Sequence, residues 1–231
     1  MKIDTSSREK SLAAILFDVD GTLIDSNAAH AAAWAEVFRH YGKEIDEAVL
    51  RTQMGKGGDQ LLPMFLTPEE MHRDGAEMAE LQGRIFRSKY FPELQPFPKV
   101  RELVELFRAN GLRVALASSS ANKDLEKMIR LANIGDLIDD AVSRDDCEQS
   151  KPAPDVFAAA LRKLGELAPA RAIAIGDSPF DILAAARVKV RTLGFLCGGF
   201  AEATLREAGC IAIYDDPEDL LDRYDSSPFG G

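Results

Sequence analysis

Between residues 100 and 224 the chain alternates short apolar runs with amphipathic helical stretches, and no other feature constrains its fold as tightly. Residues 112–117, 138–142, 171–175, 190–195 and 211–214 read as strands. Residues 100–109, 122–131, 154–165, 181–188 and 217–224 read as helices between or after them. Strands that alternate with helices require crossover connections, so the expected class is α/β, a doubly wound parallel sheet of Rossmann-like form. A further apolar run, 12–17, precedes this series and drives directly into Asp18-Val19-Asp20-Gly21. Such a run suits a strand buried on both faces, although periodicity alone also permits a short buried helix.

The stretch between the first strand and the series has a different character. Ser26 or Asn27 can cap a helix that stops near Gly42; helical patterns follow over 46–53, 58–65 and 68–89, the last with Thr67 as cap and Pro68 at its first position. Prolines 92, 96 and 98 then break the pattern. The reading is a core formed by residues 1–25 and 93–231, with an inserted α-helical cap at 26–92. Residues 1–10 are polar and expected to fray.

Composition narrows the partners. With 231 residues, 46% hydrophobic and 29% charged, the chain can bury a sizeable core. A formal net charge of -10 disfavours nucleic acid and anionic membranes, so any phosphate must be met by local groups. Cys147, Cys197 and Cys210 lack metal or redox spacing and read as reduced packing residues. No signal segment or long apolar run is evident, and a cytoplasmic monomer or homodimer is the expectation.

Chemistry gathers at the predicted strand ends. Asp18 and Asp20 follow the first strand, Ser118 the second, Lys151 lies in a loop after the third, and Asp177 with Asp181 follows the fourth. In parallel sheets ligands collect at the carboxyl ends of strands. Taken singly, each residue also suits a turn, a helix cap or a solvated loop. Together at one face, three or more carboxylates would repel unless a cation balanced them, and a hard oxygen site suits Mg²⁺. Lys151 and the Ser-rich turn 118–120 supply donors for phosphate oxygens.

These residues resemble the haloacid dehalogenase superfamily, in its phosphatase branch, through Asp18-Val19-Asp20-Gly21-Thr22, Ser118 after Val114-Ala115-Leu116-Ala117, Ser150-Lys151-Pro152-Ala153-Pro154-Asp155, and Gly176-Asp177-Ser178-Pro179-Phe180-Asp181. The resemblance runs from residue 12 to about 222. It implies that Asp18 is the nucleophile that forms an aspartyl-phosphate, that Asp20 is the acid/base, and that Ser118 and Lys151 hold the phosphoryl group. It also implies Mg²⁺ held by the Asp18 side chain, the Asp20 backbone carbonyl and Asp177, with Asp181 in support. The acid/base role leads us to expect a raised pKa for Asp20 in the closed site.

The helical insertion resembles the superfamily's mobile cap. Its glycine-rich loop, Met54-Gly55-Lys56-Gly57-Gly58, is a candidate substrate contact through Gly55 and Lys56, as are His30, Ser119 and Asn122. Lys189 stands where related chains carry glycine, and a left-handed lysine there would cost about 1 kcal/mol. The expected function is an Mg²⁺-dependent phosphatase acting on a small phosphorylated metabolite, such as phosphoglycolate or a sugar phosphate. A β-phosphoglucomutase-like phosphosugar mutase and a non-catalytic phosphometabolite-binding protein are the alternatives.

Overall fold

The computed structural model describes residues 12–230; the polar start, 1–10, lies outside the described residues. Six parallel strands form one sheet: β1 (Ala14–Phe17), β2 (Arg113–Ala117), β3 (Asp140–Val142), β4 (Ala172–Gly176), β5 (Arg191–Phe195) and β6 (Ala212–Tyr214). Their order is β3-β2-β1-β4-β5-β6. The chain first winds outward from β1 through β2 to β3, then returns to the other side of β1 with β4. This reversal opens a crevice beside the end of β1, the usual ligand position in such sheets.

The strands are apolar because both faces are covered. On one face Ile15, Phe17, Val114, Leu116, Ile173 and Ile175 join a large hydrophobic cluster with α5 (Val100–Ala109) and α6 (Asn122–Leu131). On the other, Ala14, Leu16, Ala115, Ala117, Ala172 and Ala174 pack with α7 (Asp155–Lys163) and α8 (Pro179–Arg187). The smaller alanines let those helices approach closely. After β5, α9 (Glu202–Ala208) leads into β6, and α10 (Pro217–Asp222) follows it.

Helices joined by loops make up most of the chain between β1 and the loop before α5. They are α1 (Asn27–His40), α2 (Glu47–Arg51), α3 (Gly58–Leu61) and α4 (Pro68–Ile85), with a π-helical turn at Phe86–Tyr90. Ala31, Trp34, Val37, Phe38, Leu50, Leu61 and Met78 make a separate hydrophobic cluster among them. Thr67 caps α4 in a reciprocal pair with Glu70, as its sequence predicts. Two local expectations are corrected. The 58–65 helix is split, four α-helical residues passing into a short 3-10 turn at Leu62–Met64, because Pro63 has no N–H to continue the ladder. Ser26 makes no side-chain cap to α1; its hydroxyl is committed elsewhere.

Candidate active site

The register of the sheet brings the predicted strand ends together. Phe17 pairs with Leu116 of β2 on one side and with Ile175 of β4 on the other, so Asp18 emerges between Ala117-Ser118 and Gly176-Asp177. The Asp18 amide donates to the Ile175 carbonyl at 2.9 Å, carrying the ladder one residue past the strand. Ser118 is likewise anchored, its amide on the Val142 carbonyl at 3.0 Å.

Lys151 is fully buried, and its ammonium lies 2.5 Å from Asp18 Oδ1 and 2.7 Å from Asp181 Oδ1. Burial alone would depress its pKa, but the Asp18 and Asp181 carboxylates more than offset this and hold it above the ordinary lysine range. Thr22 lies between the other two groups of the cluster, 3.0 Å from Asp18 Oδ2 and 2.9 Å from Asp177 Oδ1. Asn27 donates through Nδ2 to Asp177 Oδ2 at 2.8 Å. Asp181 Oδ2 accepts from the amide and hydroxyl of Ser178, at 3.1 and 2.6 Å.

Asp18, Asp177 and Asp181 are buried, with carboxylate oxygens within 4.8 Å of one another. One ammonium faces three carboxylates. Burial pushes Asp18 up to about 7, with repulsion from Asp181 adding to it and Lys151 opposing it. Asp177 is raised well above its ordinary value by burial, then by Asp18 and Asp181. This excess of negative charge on hard oxygen donors fits a divalent cation such as Mg²⁺. Asp181 lies within the cluster with both oxygens engaged, Oδ1 by Lys151 and Oδ2 by Ser178.

Asp20 is held by a different set. Its Oδ1 accepts from Ser26 at 2.7 Å and pairs with His30 Nε2 at 2.9 Å; its Oδ2 accepts from Ser120 at 2.7 Å. The side-chain amide of Gln82, in α4, lies 3.1 Å from His30 Nδ1. The His30 ring stacks on Phe86, centroids 3.8 Å apart. Unlike the raised pKa expected in the closed site, that of Asp20 is low in the molecule as it stands. Burial does push it upward, but the charge and hydrogen bond of His30, with those of Ser120 and Ser26, win and bring it down to about 2.

A cavity of about 390 Å³ opens over these groups, between the sheet end and the helices that follow β1. Asp18, Asp20, His30, Trp34, Gly55, Lys56, Ser119 and Ser120 line it. Ser118 and Lys151 lie beneath, fully buried, with the Ser118 hydroxyl accepting the Ser120 amide at 3.0 Å. Asn122 is a correction: it is exposed, outside the cavity, and its side chain turns to Glu126 at 3.0 Å. Its place at the first position of α6 points it along the helix surface, where the i+4 carboxylate is in reach. Lys56 lines the cavity, but its ammonium donates to Gln53 at 2.7 Å and sits 4.6 Å over the Phe180 ring.

A model of the "Haloacid dehalogenase-like hydrolase" family matches residues 15–195. The chain belongs to this family. It is 27% identical over 210 residues to a phosphorylated carbohydrates phosphatase of Thermotoga maritima, covering 90% of this chain and 96% of that one. It is 27% identical over 219 residues to a phosphoglycolate phosphatase of Rhodospirillum rubrum, covering 90% and 89%. Among solved structures, a hydrolase from Pseudomonas syringae superposes with a TM-score of 0.80 at 29% identity, over 93% of this chain and 98% of that one.

Within this haloacid dehalogenase-like frame, several contacts escape sequence reasoning. Asn27, Ser26 and Gln82 each bond a site residue, yet none has a spacing that marks it; Thr22 and Ser120 lie in quoted motifs, but their bonds to Asp177 and Asp20 are not legible there. Gly198 is another: a Cβ there would overlap the Asp177 carboxylate, so the loop after β5 reaches the site only as glycine. The Ser-rich turn was the signal for Ser120.

Proposed function

We propose that this chain is an Mg²⁺-dependent phosphatase of small phosphorylated metabolites, working through an aspartyl-phosphate at Asp18. The observation that carries the reading is the pair of differently held carboxylates at one cavity: Asp18 gripped by Lys151, and Asp20 gripped by His30, Ser26 and Ser120. In this reading residues 26–92 form a cap over a core of 1–25 and 93–231, and the cavity between them receives substrate.

Asp18 attacks phosphorus, and the P–O bond to the leaving group breaks. Asp20 gives the departing oxygen its proton, then takes one from water as that water attacks the aspartyl-phosphate. Asp20 is ionised in the molecule as it stands, and an incoming phosphate adds negative charge beside it, raising its pKa in the direction that acid catalysis needs. Lys151 and the Ser118 hydroxyl hold the phosphoryl oxygens. Asp18, Asp177 and Asp181, with the Asp20 main chain, would hold Mg²⁺, which when bound offsets their repulsion and draws charge from the phosphoryl group.

A cavity of about 390 Å³ is roomy for a two-carbon acid and comparable with the small-ligand pockets of many enzymes, which supports a sugar-phosphate-sized substrate. The similarity to the Thermotoga phosphorylated carbohydrates phosphatase supports the same choice. Phosphate release from a panel of sugar phosphates and phosphoglycolate, with Mg²⁺, tests the proposal against Asp18→Asn. Release by the wild type and loss in the variant are expected. Glucose 6-phosphate formed from glucose 1-phosphate without free phosphate would establish the mutase instead.

A further inference from the structure

The loop 55–59 meets three serines of the core. The Ser119 hydroxyl donates to the Gly55 carbonyl at 3.3 Å. A Cβ on Gly55 would overlap Ser178, and one on Gly57 would overlap Ser150. Each serine is the chain neighbour of a site residue: Ser119 of Ser118, Ser150 of Lys151, Ser178 of Asp177. Only at Ser150 is the contact a charge-assisted bond to the main chain, its amide donating to Asp59 Oδ2 at 3.0 Å.

Asp59 Oδ1 and the Ser150 hydroxyl are buried beside this bond, and Ser150 itself is buried. A bond to a carboxylate is stronger than a neutral one, and a buried amide is costly to leave without its partner. Neither Asp59 nor Ser150 lines the cavity, so neither touches a substrate held there. The next residue is Lys151, whose ammonium bonds both Asp18 and Asp181, so a shift of its main chain is felt at both carboxylates.

We propose that Asp59 is a positioning residue: by holding the Ser150 amide, it sets Lys151 against Asp18 when the loop 55–59 is seated on the core. The inference rests on the phosphatase reading of Asp18 and Lys151. It makes the helical unit part of the catalytic alignment as well as a wall of the cavity. The competing role is local, since Asp59 also lies in the first turn of α3 and accepts from Gln60 at 3.1 Å.

The test compares full-length wild type, Asp59→Ala and Asp59→Asn with Mg²⁺, on p-nitrophenyl phosphate and glucose 6-phosphate, and follows hydrogen exchange at the Ser150 amide by NMR. For Asp59→Ala, kcat should fall about tenfold or more on both substrates with KM changed less than about twofold. Its Ser150 amide should exchange at least about tenfold faster. Asp59→Asn should keep most of kcat and of the protection, because its side-chain oxygen accepts the same N–H. Unchanged kcat in an active enzyme, a rise confined to KM, or Asn failing as Ala does would overturn the inference alone. A wild type that releases no phosphate from either substrate would overturn it together with the phosphatase reading.

Discussion

His30 Nε2 lies 2.9 Å from Asp20 Oδ1, and the opposite nitrogen of the same ring lies 3.1 Å from the side-chain amide of Gln82. A residue of α1 thus carries a contact from α4 to the carboxylate at the end of β1. Asp20 is ionised because of this arrangement and despite its burial.

Removing the ring should expose that balance. In His30→Ala, Asp20 loses the largest influence that lowers its pKa, while burial, which raises it, remains. The basic limb of the pH profile of kcat/KM, where the acid that protonates the leaving group is lost, should move to higher pH. We expect kcat to fall about a hundredfold at neutral pH, within the usual range for disturbed acid/base catalysis. A profile recorded with saturating Mg²⁺ checks both, and an unmoved limb would refute the role given to His30.

The carboxylate cluster should make the metal-free protein less stable as pH rises. Asp18 has a folded pKa of about 7 against an ordinary value of 3.8, so between these values the unfolded state releases a proton that the folded state retains. Stability is therefore lost progressively from about pH 4 to 7, with no further loss from this group above that. Asp177 shifts in the same direction. Asp20 has the opposite sign: lowered to about 2, its stabilisation is present above its unfolded value and is lost as pH falls through the folded one. Calorimetry in EDTA should give a lower Tm at pH 7.5 than at pH 5, and Mg²⁺ should restore far more at pH 7.5.

Gly198→Ala should injure the site more than the fold. The added methyl would overlap Asp177. Relief by local shift costs about 1–3 kcal/mol in stability, the usual range for overpacking. Displacement of a proposed metal ligand should weaken Mg²⁺ binding at least about tenfold. Titration of Mg²⁺ against phosphate release, beside a urea melt, separates the two effects.

Lys189→Gly should stabilise the protein. Lys189 has a φ of 63°, the left-handed region that favours glycine, as its sequence position predicts. Its amide donates to Ala186 at 2.9 Å in either variant, so the turn itself survives. A gain of about 1 kcal/mol in a denaturant melt, with unchanged kcat, is expected.

Much of this molecule is legible before folding is considered. The apolar runs of β1, β2 and β4, and the acids that follow them, announce a parallel sheet with chemistry at its ends. A run buried on both faces must be apolar throughout, and that pattern is local. The caps of α4 and α8 are equally local: Thr67 with Glu70, and Ser178 with Asp181, are pairs three residues apart.

What the chain alone decided is thus the class of fold and the identity of Asp18, Lys151, Asp177 and Asp181 as a set. Only the tertiary structure decided how these groups are charged. The direction of the Asp20 shift depends on His30, ten residues away in sequence and facing it only because α1 turns back over the sheet end. Lys151 is marked by its company in the sequence, but its full burial between Asp18 and Asp181, far apart along the chain, is decided by the fold. Asn122 stands near the site in sequence but is exposed and bonds Glu126, whereas Lys56 lines the cavity with its ammonium on Gln53. Strand patterns follow from near neighbours, whereas pKa values and side-chain partners follow from through-space distances, and those exist only once the sheet has been assembled.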